Sequence, residues 1–133
     1  MKLFRRSTEI DQDTIDRRLA TVRLHLLVAM ATVDGRMPIC ELDVLHRSVE
    51  ALATDRQHRA ELEELLFELL DDPPSIGCAA RLVAEEPVAR DHSATIIKDL
   101  LRMALSDGMV QETERTLLGR VQQAFSVAPA LCA

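Results

Sequence analysis

The stretch "LVAMATVDGRMPICELDVLHRSVEA" (residues 27–51) returns 73 positions later as "LLRMALSDGMVQETERTLLGRVQQA" (residues 100–124). Leu27, Met30, Ala31, Asp34, Gly35, Glu41, Leu45, Arg47 and Ala51 meet the same residues at Leu100, Met103, Ala104, Asp107, Gly108, Glu114, Leu118, Arg120 and Ala124. In each copy, apolar residues at three- and four-residue steps run into an Asp-Gly pair and resume beyond it. That is the pattern of helix, corner, helix. Glycine closes a helix well because it enters the left-handed conformation without a Cβ penalty. The chain therefore reads as two related helical hairpins.

Working outward, Ile15, Leu19, Val22, Leu26, Leu27 and Met30 extend the first hairpin back to a helix over 11–33, with Asp11 or Asp13 placed to cap it. A second helix is predicted over 38–53, where Pro38 suits a first turn. Asp55 caps a third, whose face Leu62, Leu65, Leu66 and Leu69 ends at "DDPPS" (71–75). A short helix follows over 75–85. Pro87 opens a fifth through Ile96, Leu100 and Leu105, and a sixth runs over 111–126. No stretch sustains period-two alternation in a β-branched context, so no strand is predicted. The fold class is all-α: a compact helical bundle of about six or seven helices with an internal pseudo-two-fold repeat of hairpins. One domain spans 11–126, with repeat halves at about 15–53 and 88–126. Residues 1–10 and 127–133 read as tails, with Leu131 free to dock on the body.

Composition bounds the function. The 133 residues are enough for one domain that buries about two thirds of its unfolded surface, so no metal or disulfide is required for folding. Aromatics make up 2% of the chain, which leaves an aliphatic core. A net charge of −6 and the absence of Trp and Tyr argue against a nucleic-acid partner, which needs surplus cations and stacking surface. Three cysteines at wide spacings fit neither a disulfide framework nor a zinc motif, which points to a reducing cytoplasm. "MKLFRR" (1–6) lacks the apolar stretch of a signal peptide, and "LLVAMATV" (26–33) is too short to span a bilayer. Membrane association is expected only through a partner.

The corners also read as the second half of an EF-hand loop, in which Asp-Gly fills positions 5 and 6 and a Glu fills position 12. Counting back puts Met30 and Thr32, or Met103 and Leu105, at positions 1 and 3, and these are not calcium ligands. The preferred reading is structural. Gly35 and Gly108 close helices, and Glu41 and Glu114 fall in the first turn of the next helix, where backbone N–H groups lack partners. Such a Glu accepts from the N–H three residues earlier; that is Gln111 in the second copy but Pro38, without an N–H, in the first. Glu41 therefore needs another donor or an ion. The alternative is a divalent-metal site built from Asp34, Glu41, Asp107 and Glu114, hard oxygen ligands suited to calcium or magnesium. No motif calls for any other cofactor.

The shared signature A-x-x-D-G-x-(M/V)-x-x-x-E-x-x-x-L resembles the TerB-like family, which includes a bacterial tellurite-resistance protein and a region of a DnaJ-like co-chaperone. The similarity covers about residues 13–126. It implies a pseudo-symmetric helical bundle and a role in stress or toxic-oxyanion resistance, in multiprotein or membrane-linked assemblies rather than as an enzyme. It also implies divalent-ion binding as a recurrent idea for the corners. Pro38 and Gln111 stand where many relatives carry Ser or Asp.

The remaining candidates have ordinary explanations. Cys40 lies beside the first corner, but its repeat partner is Thr113, so the thiol is outside the duplicated design. His25, His46, His58 and His92 form no metal-binding pair, and Asp43 with His46 is a common solvated pairing. Glu61, Glu64, Glu68, Asp71 and Asp72 make an acidic stripe that reads as a solvated face able to steer a basic partner. Phosphate loops and nucleophile elbows are absent. The sequence thus points to a non-catalytic interaction module with other proteins as partners, offering acidic corners and a helix groove.

Overall fold

The structure, a computed structural model, describes residues 12–35, 39–105, 108 and 110–132, with side chains described except at 39, 40 and 127–132. The tail at 1–10 and residues Met37, Pro38 and Asp107 lie outside the described residues, as do the side chains of Cys40 and Leu131. Within them the chain forms seven helices and no strand: α1 Gln12–Thr32, α2 Ile39–Leu52, α3 Arg56–Asp71, α4 Ile76–Glu85, α5 Pro87–Asp91, α6 Ser93–Ala104 and α7 Glu112–Cys132. None is long and apolar enough to cross a membrane.

The bundle is organised around α1. From Leu26 to Ala31 every side chain of α1 is buried, because α2, α3, α4, α5 and α6 all pack on it. The sequence explains this, since the apolar run at 26–33 leaves that end of the helix no polar face to give to water. Its repeat partner α6 buries one stripe, Ile96, Leu100, Met103 and Ala104, and leaves Leu101 and Leu105 exposed. The two hairpins meet through α1 and α6. Helix α2 is flanked by α3, and α7 packs closely on α4. The largest fully buried apolar residues, among them Leu24, Met30, Leu45, Leu66 and Ile96, are all aliphatic.

Caps delimit the middle helices. Asp55 Oδ1 accepts the His58 N–H at 2.7 Å to start α3, and Ser75 Oγ accepts the Cys78 N–H at 3.1 Å to start α4. The fifth predicted helix breaks in two at His92. There the imidazole Nδ1 donates to the Val88 carbonyl at 3.1 Å, the acceptor that the His92 N–H would use in a continuous helix, and that N–H turns instead to Ala89 at 3.1 Å. At the other end the helix backbone continues through Cys132, beyond the Ser126 at which the periodicity fades.

The repeat is not equally deep in both halves. Leu45 and Leu118 are identical partners in the sequence, yet Leu45 and Val49 are fully buried in α2, whereas in α7 the fully buried pair is Leu117 and Val121. The buried stripe of the second helix is thus shifted by one residue between the copies, and its closest neighbour differs too, α3 for α2 and α4 for α7.

Candidate functional site: the duplicated corners and the α2–α3 face

At the first corner the Gly35 N–H donates to the Thr32 carbonyl at 2.9 Å, and at the second the Gly108 N–H donates to Leu105 at 2.9 Å. Both glycines have positive φ, +81° and +90°, and a Cβ built on either meets nothing within 4 Å. The glycine requirement is therefore one of backbone conformation, not of space. These are the same hydrogen bonds at the same repeat positions, so the duplication extends to individual atoms.

The carboxylates of the corners behave differently from one another. Glu41 and Glu114 are each 2% exposed, whereas Asp34 is exposed. Glu114 Oε1 accepts the Gln111 N–H at 2.7 Å, the capping arrangement expected for the second copy. Glu41 is also engaged by a polar or ionic partner, as are Asp34 and Glu114. Asp107 lies outside the described residues. Among the described residues no group of three or more His, Cys, Asp or Glu side chains could hold a metal ion.

Polar pairings that no spacing rule reveals carry connections between elements. Arg23 on α1 grips Asp99 on α6 through two bonds, Nε to Oδ2 at 2.6 Å and Nη2 to Oδ1 at 3.0 Å. Arg17 joins α1 to α3, meeting Asp55 at 2.8 Å and Glu61 at 3.2 Å. The carboxyl of Asp55 is held below its ordinary range, first by the His58 N–H and then by the Arg17 charge. His58 is buried, and its Nδ1 accepts the Thr54 N–H at 3.0 Å. Cys78 is an exposed thiol whose pKa is lowered by hydrogen bonding to Ser75.

The α2–α3 face combines an apolar groove with an exposed aromatic ring. Leu42, Leu66, Phe67 and Leu70 line a groove of about 590 Å³, with His46, Glu63 and Glu64 at its polar side. Phe67 stands 79% exposed. It lies off the buried stripe of Leu62, Leu66 and Leu69 that anchors α3, one position round the helix from Leu66. Of the acidic stripe expected as a solvated face, Glu64 lines this groove, and Glu63 lines it too; residues 61–72 contain Glu61, Glu63, Glu64, Glu68, Asp71 and Asp72 and no cation.

Fold and corners together define the class, an all-helical bundle of duplicated hairpins closed at Asp-Gly corners and started by buried glutamates. The chain belongs to the TerB family: the family model described as tellurite resistance protein TerB matches residues 18–133. No curated protein and no solved structure matches it.

Proposed function

We propose that this protein is a non-catalytic interaction module, an adaptor in a bacterial stress-response or tellurite-resistance assembly. The observation that carries this reading is the α2–α3 groove. A phenyl ring held 79% in solvent over apolar neighbours gives a partner hydrophobic surface to bury. The adjoining acids give it orientation and speed of encounter rather than raw affinity. Family membership supports the tellurite-related setting.

The test is affinity capture from the native cell under crosslinking, with the wild-type chain beside Phe67→Asp and a corner variant, Asp34→Asn. A reproducible partner retained by wild type and the corner variant but lost by Phe67→Asp is the expected result. A capture profile identical for wild type and Phe67→Asp overturns it. A metal role for Asp34, Glu41, Asp107 and Glu114 makes a different demand. Chelator-treated protein would gain melting temperature with millimolar calcium or magnesium, and Asp34→Asn/Asp107→Asn would abolish the gain.

A further inference from the structure

We propose that this chain associates with copies of itself head to tail, the outer face of α6 in one molecule docking in the α2–α3 groove of the next. Leu101 and Leu105 meet Phe67 and its apolar neighbours, and Lys98 and Arg102 meet the acids of α3. The inference rests on reading the groove as the interaction surface and names a second copy as its occupant.

Three observations lead to this occupant. The first is apolar surface. Among the described residues the exposed large hydrophobic side chains are Phe67 on α3 and Leu101 and Leu105 at the end of α6, and one contact between these two faces covers all three. Lys98, Leu101, Arg102 and Leu105 stand at i, i+3, i+4 and i+7, with Leu105 as the C-cap, so they form a single stripe about 10 Å long. Along α3 the groove runs from Ala60 to Leu70, about 15 Å, which accommodates that stripe in the manner of a helix laid in an apolar channel.

The second is charge. Of the six acids over 61–72, Glu61 and Glu63 are held by Arg17 and Arg59, whereas Glu64, Glu68, Asp71 and Asp72 take part in none of the ion pairs among the described residues. On α6 the sign is reversed. Its one acid, Asp99, is buried and clasped by Arg23, so the outer face carries Lys98 and Arg102, and neither of these is in an ion pair among the described residues. Each face thus keeps unspent charge of the sign the other lacks, which steers encounter and fixes register. The third is geometry. In one molecule α3 and α6 are both packed on α1 and present these residues to solvent, so the two faces meet only between molecules. Groove against groove would set acid against acid, and α6 against α6 would set cation against cation. Head-to-tail docking satisfies both faces, and because every copy carries one of each, the assembly either closes on itself or extends.

Two helix faces make a small contact, so sedimentation velocity of the full chain is run from about 10 µM to about 1 mM. The wild-type mass should rise with concentration to at least twice that of the monomer, and association should weaken several-fold between about 50 and 500 mM salt. Phe67→Asp removes the groove's ring, and Lys98→Glu/Arg102→Glu reverses the charge of the α6 face; each alone should stay monomeric. All three positions are exposed, so the fold should persist. An equimolar mixture of the two variants should associate again and stop at twice the monomer mass, because each keeps the half that the other has lost. That recovery also shows that both variants fold. A wild-type chain that stays at the monomer mass throughout overturns the proposal. So does a mixture that fails to recover, or a Lys98→Glu/Arg102→Glu variant that associates like wild type, which would place groove against groove. A monomeric wild type together with Phe67-dependent capture would give the groove to another protein and leave the interaction surface standing. Head-to-tail association without such capture would remove the adaptor and leave the contact between copies.

Discussion

Replacing Arg23 by Met tests how the two halves of the bundle are held together. The substitution keeps most of the side-chain length but removes both hydrogen bonds to Asp99, at 2.6 and 3.0 Å, and leaves a carboxylate whose side chain is 9% exposed without its counter-charge. Breaking a fully buried pair from one side costs roughly 3–5 kcal/mol. Arg23 keeps 25% of its side chain in solvent, so water can reach the orphaned carboxylate, and the expected loss is about 2–3 kcal/mol. With a urea slope of about 2 kcal/mol/M, the unfolding midpoint should fall by about 1–1.5 M. Far-UV circular dichroism is the suitable probe because the chain has no Trp or Tyr. Asp99→Leu should cost less, since the arginine left behind can turn toward water. The pair Arg23→Met/Asp99→Leu should recover most of the loss, as an apolar pair of similar volume. A drop below about 0.5 kcal/mol for Arg23→Met, the scale of an exposed pair, would refute the coupling. So would a double variant that loses the sum of the two single effects.

The corners and caps make further demands. Gly35→Val and Gly108→Val should each lower stability by roughly 1–3 kcal/mol through forced positive φ, with Asn costing less than Val at either site; thermal melting checks both. Glu114→Ala should cost about 1–3 kcal/mol because the Gln111 N–H loses its acceptor, and Glu114→Gln, which keeps an acceptor oxygen, should cost visibly less. The Asp55 carboxyl has its pKa lowered in the folded state, so its contribution is present above the unfolded value near about 4 and is lost as pH falls through the lowered one. The stability gap between wild type and Asp55→Ala, measured by urea titration, should therefore be widest above about pH 4 and close as the solution is acidified.

The hairpins and their corners were legible because they depend on local rules. A 3.6-residue period, a glycine where φ must be positive and a glutamate three positions into a helix are all visible without knowing a neighbour. The end of the fifth predicted helix was not, because His92 breaks it by competing with its own backbone N–H for the Val88 carbonyl. The Arg23–Asp99 clasp joins positions 76 apart that no spacing rule connects. The unequal depth of Leu45 and Leu118 goes with different neighbours, α3 beside α2 in one half and α4 beside α7 in the other. Phe67 already lay off the predicted apolar face Leu62, Leu65, Leu66 and Leu69; what the period could not give was that Leu42 and His46 of α2 stand beside it to form a groove.

The burial of α1 also has a history in time. Its apolar end, from Leu26 to Ala31, is made early, while α6, one of the helices that cover it, is encoded some 70 residues later. At translation rates of about 5–20 residues per second, that is a delay of roughly 4 to 14 seconds. During that interval α2 to α5 emerge and can cover part of that surface, while the strip that α6 occupies in the finished bundle has no cover. Duplication has therefore not produced two self-sufficient units; the first copy waits for the second, and the nascent chain is most open to chaperones and to aggregation in the gap between them.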